Sequence, residues 1–346
     1  MHLTIFLFLI GLVILILGSN FLIVGASNFA KALHISPLIV GLTILSFGTS
    51  SPEIGVSAVG AWKGEGGLVL GGITGSNILN ILLILGICSL VSAPVIKKRI
   101  IWLEIPLMIG ISLAFWGMAA TGTFTRIDGV ILFSALLLYL LFVIFQERKG
   151  EKEKSPPPSI PLWLQILFMV GGLVLLAFGA EMLVDNGVKI ARFLQISELY
   201  IGLTLIALGT SLPELVTSLV AIRKKEGDLA IGNIIGSNIF NLLGVTGIAA
   251  LVKPIEVPKA AIHFDIPIMV GVAIATLPIF WTGHKVSRWE GALFLFYYLL
   301  YLTYLILHSS SHRLFSLFTT ALLFFILPLT VITLGIGVYR HLKAKG

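Results

Sequence analysis

Long, uninterrupted apolar stretches separated by short polar breaks dominate this chain. Stretches long enough to cross a bilayer run over 3–25, 36–61, 68–93, 101–120, 127–146, 161–185, 197–222, 229–252, 264–282, 289–308 and 314–339, eleven in all. Hydrocarbon offers no water to satisfy backbone N–H and C=O groups, so each stretch is expected to be a helix. A β-barrel would instead show short segments of alternating polarity. The pattern predicts an all-α polytopic membrane protein. Composition agrees: 57% hydrophobic residues, 11% charged and a mean hydropathy of +1.06 leave too little charge to cover a soluble domain. The first apolar run has no Lys or Arg ahead of it and is too long for a signal core, so it is expected to remain as the first span.

The longest polar break, 146–160 (QERKGEKEKSPPPSI), mixes both charge signs with three prolines and reads as a solvated, semi-rigid linker. It divides the first ten spans into five and five: a first half over 1–145, a second over 161–310, and an extra span within 311–346. Lys and Arg in alternate loops number 16 on the linker's side and 7 on the other. The positive-inside bias therefore predicts an inner (plasma) membrane protein with the linker cytoplasmic, the N-terminus outside and the C-terminus inside. The net charge of +7 thus reflects topology rather than a nucleic-acid partner. The single cysteine, Cys88, lies in an apolar run and reads as a small core residue.

An internal repeat joins the halves. GLTILSFGTSSPEIGVSAVGA (41–61) and GLTLIALGTSLPELVTSLVAI (202–222) agree at ten of 21 positions, at an offset of 161. The same offset aligns GGITGSNILN (71–80) with GNIIGSNIFN (232–241), and Gly11 and Gly18 with Gly172 and Gly179. An odd number of spans separates the copies, so they are expected to insert with opposite orientation, as in secondary transporters whose site lies between inverted halves at mid-membrane. Small residues alone would be explained by close helix packing. Glutamates would not.

Glu53 and Glu214 stand at equivalent positions in the middle of apolar spans, with no Lys or Arg in the four repeat spans. A buried acid in a membrane marks an ion pathway, and protons or bound cations are the ways left to settle it. Thr49 shares a helix face with Glu53, and Thr210 with Glu214. Ser46 and Ser50 form a neighbouring stripe, while Ser76 with Asn80 and Ser237 with Asn241 occupy the following span in each copy. These are oxygen donors without His or Cys, a set that suits hard cations such as Na⁺ or Ca²⁺ rather than Zn²⁺. Pro52 and Pro213 cannot donate to the carbonyls of Gly48 and Gly209, so a broken helix beside each acid is expected.

GTSSPE with GSNILN, and GTSLPE with GSNIFN, resemble the α-repeats of the sodium/calcium exchanger family, over about 250 residues. The resemblance implies a ten-helix core with four central ion sites, caged by spans 2, 3, 7 and 8, and Na⁺ and Ca²⁺ as transported substrates with no cofactor. It makes Glu53 and Glu214 the shared carboxylates and gives Thr49 and Thr210 a backbone-oxygen role. Ser50, Ser211, Ser76 and Ser237, with the carbonyls of Ser46 and Ala207, would line flanking Na⁺ sites. Asn80 and Asn241 would complete the middle, and spans 1 and 6 would move as a gate. Several relatives carry aspartate where this chain has Asn241, so the cage holds a formal charge of −2 rather than −3. The eleventh span has no repeat partner and is expected to serve peripheral packing or contact between copies.

Glu181 and Asp185 near the end of span 6 are candidates for an outer gate, or simply hydrated acids. The seven histidines lack ligand-like companions, and five of the tryptophans fall at predicted span ends. Besides Na⁺/Ca²⁺ antiport, H⁺/Ca²⁺ antiport and a cation channel are the rival readings. An intramembrane enzyme would need a nucleophile or metal ligands that the chain does not offer, and no phosphate-binding glycine loop suggests ATP use.

Overall fold

The computed structural model describes residues 1–149, 157–195, 207–309, 315–322 and 335. Within them, eight helices are long and apolar enough to cross a membrane, and a bent pair makes a ninth crossing. In chain order these are α1 (His2–Leu33), the bent pair α2 (Pro37–Thr49) and α3 (Ser51–Lys63), then α4 (Gly66–Val91), α5 (Ile100–Ala119) and α6 (Arg126–Lys149). The second half contributes α7 (Leu162–Phe193), α8 (Leu212–Arg223), α9 (Gly227–Val252), α10 (Ala261–Trp281) and α11 (Arg288–Ser309). The expected all-helical class holds, apart from a two-residue pairing of Thr123–Phe124 (β1) with Ile255–Glu256 (β2). The expected span 197–222 is described only from residue 207. The eleventh, 314–339, lies outside the described residues except for 315–322 and 335.

Helices α1 and α7 are longer than their apolar stretches, 32 residues each. That is about 48 Å at 1.5 Å per residue, well over the roughly 30 Å of bilayer hydrocarbon, so both must tilt or protrude. They pack antiparallel, backbone against backbone. A Cβ on Gly11 would strike the backbone of Leu183 and Gly179, and one on Gly18 would strike that of Gly172 and Leu176. Only glycine permits so close an approach. Because 172 and 179 are the repeat mates of 11 and 18, the two contacts exchange with each other under the repeat.

The same exchange recurs across the molecule. Gly86 faces Gly291, and Gly247, its mate, faces Gly129, one residue before the mate of Gly291. The β1–β2 pairing is matched by a bridge between Val95 and Lys285, the mates of Glu256 and Phe124. Each half therefore grips the other through a pseudo-two-fold axis. Helices α4 and α9, repeat mates, form the buried centre, with 72% and 89% of their membrane windows buried, whereas those of α1 and α7 are only 33% and 28% buried. On α1, Leu3, Phe6, Leu9, Val13, Leu17 and Phe21 stand exposed, as a lipid-facing surface requires.

Candidate cation-binding site

Each repeat breaks its helix where the sequence places proline. Ser50 ends α2 with φ −84° and ψ 6°, and Ser211 precedes α8 with φ −92° and ψ 5°. Pro52 and Pro213 come within the first turn of the next helix, where a missing N–H is tolerated. The two segments of the first copy meet at 44°. Glu53 and Glu214 thereby sit in the first turn of α3 and α8, where unpaired N–H groups favour an acid. The break is thus the device that brings a carboxylate to the centre of the protein.

Glu53 and Glu214 are both buried and close enough for their charges to interact. Their contacts cross between the halves. Ser50 Oγ donates to Glu214 Oε1 at 3.0 Å, and its mate Ser211 Oγ donates to Glu53 Oε1 at 3.3 Å. Thr49 and Ser237 lie beside Glu214, and Thr210 beside Glu53. The second oxygen of each carboxylate, Oε2, is buried with no hydrogen-bond donor among the described residues. Asn241 Oδ1 and Asn80 Oδ1 are in the same condition, and Asn80 Nδ2 has no acceptor among the described residues. Two carboxylates and amide oxygens buried without donors demand positive charge from elsewhere. Among the described residues no Lys or Arg pairs with either acid, so a cation or protons must supply it.

The two flanks of the site differ. On one, Asn241 Nδ2 donates to Ser76 Oγ at 3.2 Å, and Ser76 and Ser211 share a hydrogen bond of 2.7 Å. Since Ser211 donates onward to Glu53, the donors run Asn241 to Ser76 to Ser211 to Glu53. On the other, only the last link, Ser50 to Glu214, is made. The structure thus closes the hydrogen-bond chain around Glu53 and leaves its counterpart around Glu214 open.

Several expected positions have fuller roles than expected. Ser46 Oγ is committed to the carbonyls of Gly41 at 2.6 Å and Asn233 at 3.2 Å, while its own carbonyl accepts the N–H of Ser50 at 3.0 Å. Thr49 Oγ1 donates to Asn233 Oδ1 at 3.1 Å, so its hydroxyl proton is committed across the halves. Ala207 opens the turn Ala207–Gly209 at the edge of the described residues. Glu181 and Asp185 are exposed on α7.

Two features escaped the sequence reading. Asn233, fully buried, braces Thr49 and also donates to Ser218 Oγ at 3.1 Å. Its repeat mate is Gly72, so the signal was an asymmetry within an otherwise matching pair of motifs. The second feature is a set of π-helical turns, which begin at Asn80 and Asn241 and recur at Ile100 and Ala261, mates in both cases. A wide turn inserts one extra residue and rotates the remainder of its helix, a device common at functional sites. Here it aims the two asparagines inward. Glu104, at the end of one such turn, is buried, ion-paired with Arg99 at 2.9 Å and bonded to Tyr139.

The family model for "Sodium/calcium exchanger protein" matches residues 3–145 and 164–307. A putative antiporter, CaxA, of Alkalimonas amylolytica is 40% identical over 277 residues, covering 78% of this chain and 87% of that protein. The sodium/calcium exchanger MaX1 of Methanosarcina acetivorans is 28% identical over 338 residues, covering 86% and 97%. Among solved structures, the sodium-calcium exchanger NCX_Mj soaked with Na⁺ and Sr²⁺ superposes with a TM-score of 0.77 at 30% identity, covering 87% of this chain and 98% of that one. With its duplicated motifs, its paired buried carboxylates and matches that span both halves, this chain belongs to the sodium/calcium exchanger family.

Proposed function

We propose that this protein exchanges Na⁺ for Ca²⁺ across the cell's inner membrane by alternating access to a single mid-membrane site shared by Glu53 and Glu214. The observation that carries the reading is the crossed pair of contacts, Ser50 to Glu214 and Ser211 to Glu53, which leaves one oxygen of each carboxylate free of donors. Both halves are needed to build the cage. Thr49, Thr210, Ser76, Ser237, Asn80 and Asn241 supply further oxygens, with the carbonyls of Ser46 and Ala207 on the flanks. Cations that need the same two carboxylates exclude one another, and this exclusion couples their movements. The unequal flanks support alternation, since one hydrogen-bond chain is closed while its mate is open. The Lys and Arg bias supports a cytoplasmic linker.

Asn241 favours a second reading, H⁺/Ca²⁺ exchange. A cage of formal charge −2 balances one Ca²⁺ or two protons, whereas three Na⁺ would leave a surplus. Ca²⁺ uptake into vesicles distinguishes the two. The Na⁺ reading expects uptake driven by a Na⁺ gradient at uniform pH. Uptake that tracks a pH gradient alone, indifferent to Na⁺, would overturn it.

A further inference from the structure

Next to the cation cage, and distinct from it, the pseudo-two-fold axis passes through a small cavity of about 10 Å³. It is lined by Asn77, Ile81, Met108 and Ser112 from the first half and by Asn238, Leu242, Met269 and Ala273 from the second. These are four repeat-mate pairs at the offset of 161, so both halves present the same wall. Asn77 and Asn238 come directly after the caging serines Ser76 and Ser237 in sequence, and each is 3% exposed.

The amides define what the cavity can hold. Asn77 Nδ2 lies 3.6 Å from Met269 Sδ, and Asn238 Nδ2 donates to the carbonyl of Ile234 at 3.2 Å. With the nitrogens so held, the oxygen is the amide atom left to the cavity. Asn77 Oδ1 and Asn238 Oδ1 are both buried, and no donor among the described residues reaches either. Ser112 spends its hydroxyl proton on the carbonyl of Met108, at 2.7 Å. Each Nδ2 already has one partner, so the atoms of the lining left wholly without a partner are the two amide oxygens, both acceptors. A buried amide oxygen without a donor costs about 1–3 kcal/mol.

We propose that this axial cavity binds one water molecule, which donates one hydrogen bond to Asn77 Oδ1 and one to Asn238 Oδ1. The volume is about the least that admits one water, and a small polar cavity holds water when such partners line it. A hard cation is a poor occupant, because the lining has no carboxylate, two soft thioethers and too few oxygens for its shell. The bound water hydrogen-bonds the two halves to each other at the residues next to Ser76 and Ser237.

Brief X-ray hydroxyl-radical labelling of the full-length protein in nanodiscs tests this, because a trapped water generates radicals on the spot. Met108 and Met269 are 1% and 3% exposed, so bulk radicals do not reach them. The expected result is oxidation of both methionines, falling several-fold in Ala273→Leu, whose larger side chain fills the cavity. No oxidation of either in the parent protein would overturn the proposal, as would oxidation unchanged by the substitution. A density map that resolves ordered water provides a second readout that needs no variant. One spherical peak within hydrogen-bond distance of both Oδ1 atoms is expected. An empty cavity, or an anomalous signal there after soaking with Tl⁺, would overturn it.

Discussion

Glu53 and Glu214 each have one oxygen held by a serine of the opposite half and one oxygen that no described side chain serves. Converting either to Gln removes half the negative charge while keeping the shape and the serine contact. Glu53→Gln and Glu214→Gln are therefore expected to abolish Ca²⁺ uptake in vesicles while the purified proteins keep their thermal transition, because the charge serves the ion rather than the fold. Uptake close to that of the parent in either variant would remove the acids from the site. Asn241→Asp raises the formal charge of the cage to −3. It is expected to strengthen Na⁺ competition against Ca²⁺ and to move more positive charge per Ca²⁺, measurable as a larger current in solid-supported-membrane recordings. Both acids were legible in the sequence because a charge in an apolar run has no cheap explanation. Asn233 and Asn77 were not, because a buried amide reads the same whether it packs, braces or binds.

Breaks and latches, at the scale of the element, decide where those residues go. The proline breaks were readable from two letters after the GTS motif, since proline's missing N–H acts wherever it stands. The π-helical turns at Asn80 and Asn241 were not, since a widened turn depends on what its neighbours leave unfilled and carries no composition of its own. The linker-side end of α1 is tied down by Ser27 Oγ, which donates to Glu226 at 2.7 Å, and by Asn28, whose Oδ1 accepts the N–H of Ser159 at 2.8 Å. The repeat mate of Ser27 is Val188, which cannot make such a bond, so the two ends of the α1–α7 pair are latched unequally by sequence. Ser27→Ala is expected to raise the accessibility of a cysteine placed on the linker side of the cage, in a thiol-labelling assay, and to leave the opposite side unchanged. Equal labelling on both sides before and after substitution would show that the bond is not a latch.

For the whole molecule, the halves cross rather than merely touch. The glycine faces of α1 and α7 need a side chain no larger than hydrogen, so Gly18→Leu or Gly172→Leu is expected to lower stability by about 3 kcal/mol, near the upper end for overpacking. The loss should appear as a lower melting temperature in a detergent-based fluorescence assay. Repeat, inversion and class were legible from one offset that held across separate segments. How the halves interlock was not, because contacts through a symmetry axis leave no trace in either copy alone. Expressing residues 1–150 and 151–346 as separate chains should give no Ca²⁺ uptake from either and restored uptake from both together. Uptake by a single half would contradict the crossed site.

Since each acid is gripped by a serine from the other copy, half a protein is not half a transporter but none. A half-length ancestor could have worked only as a couple, one member threaded into the membrane each way up. Fusing the two into one chain then freed each copy to drift from its twin. Val188 opposite Ser27, and Gly72 opposite Asn233, show that freedom in use.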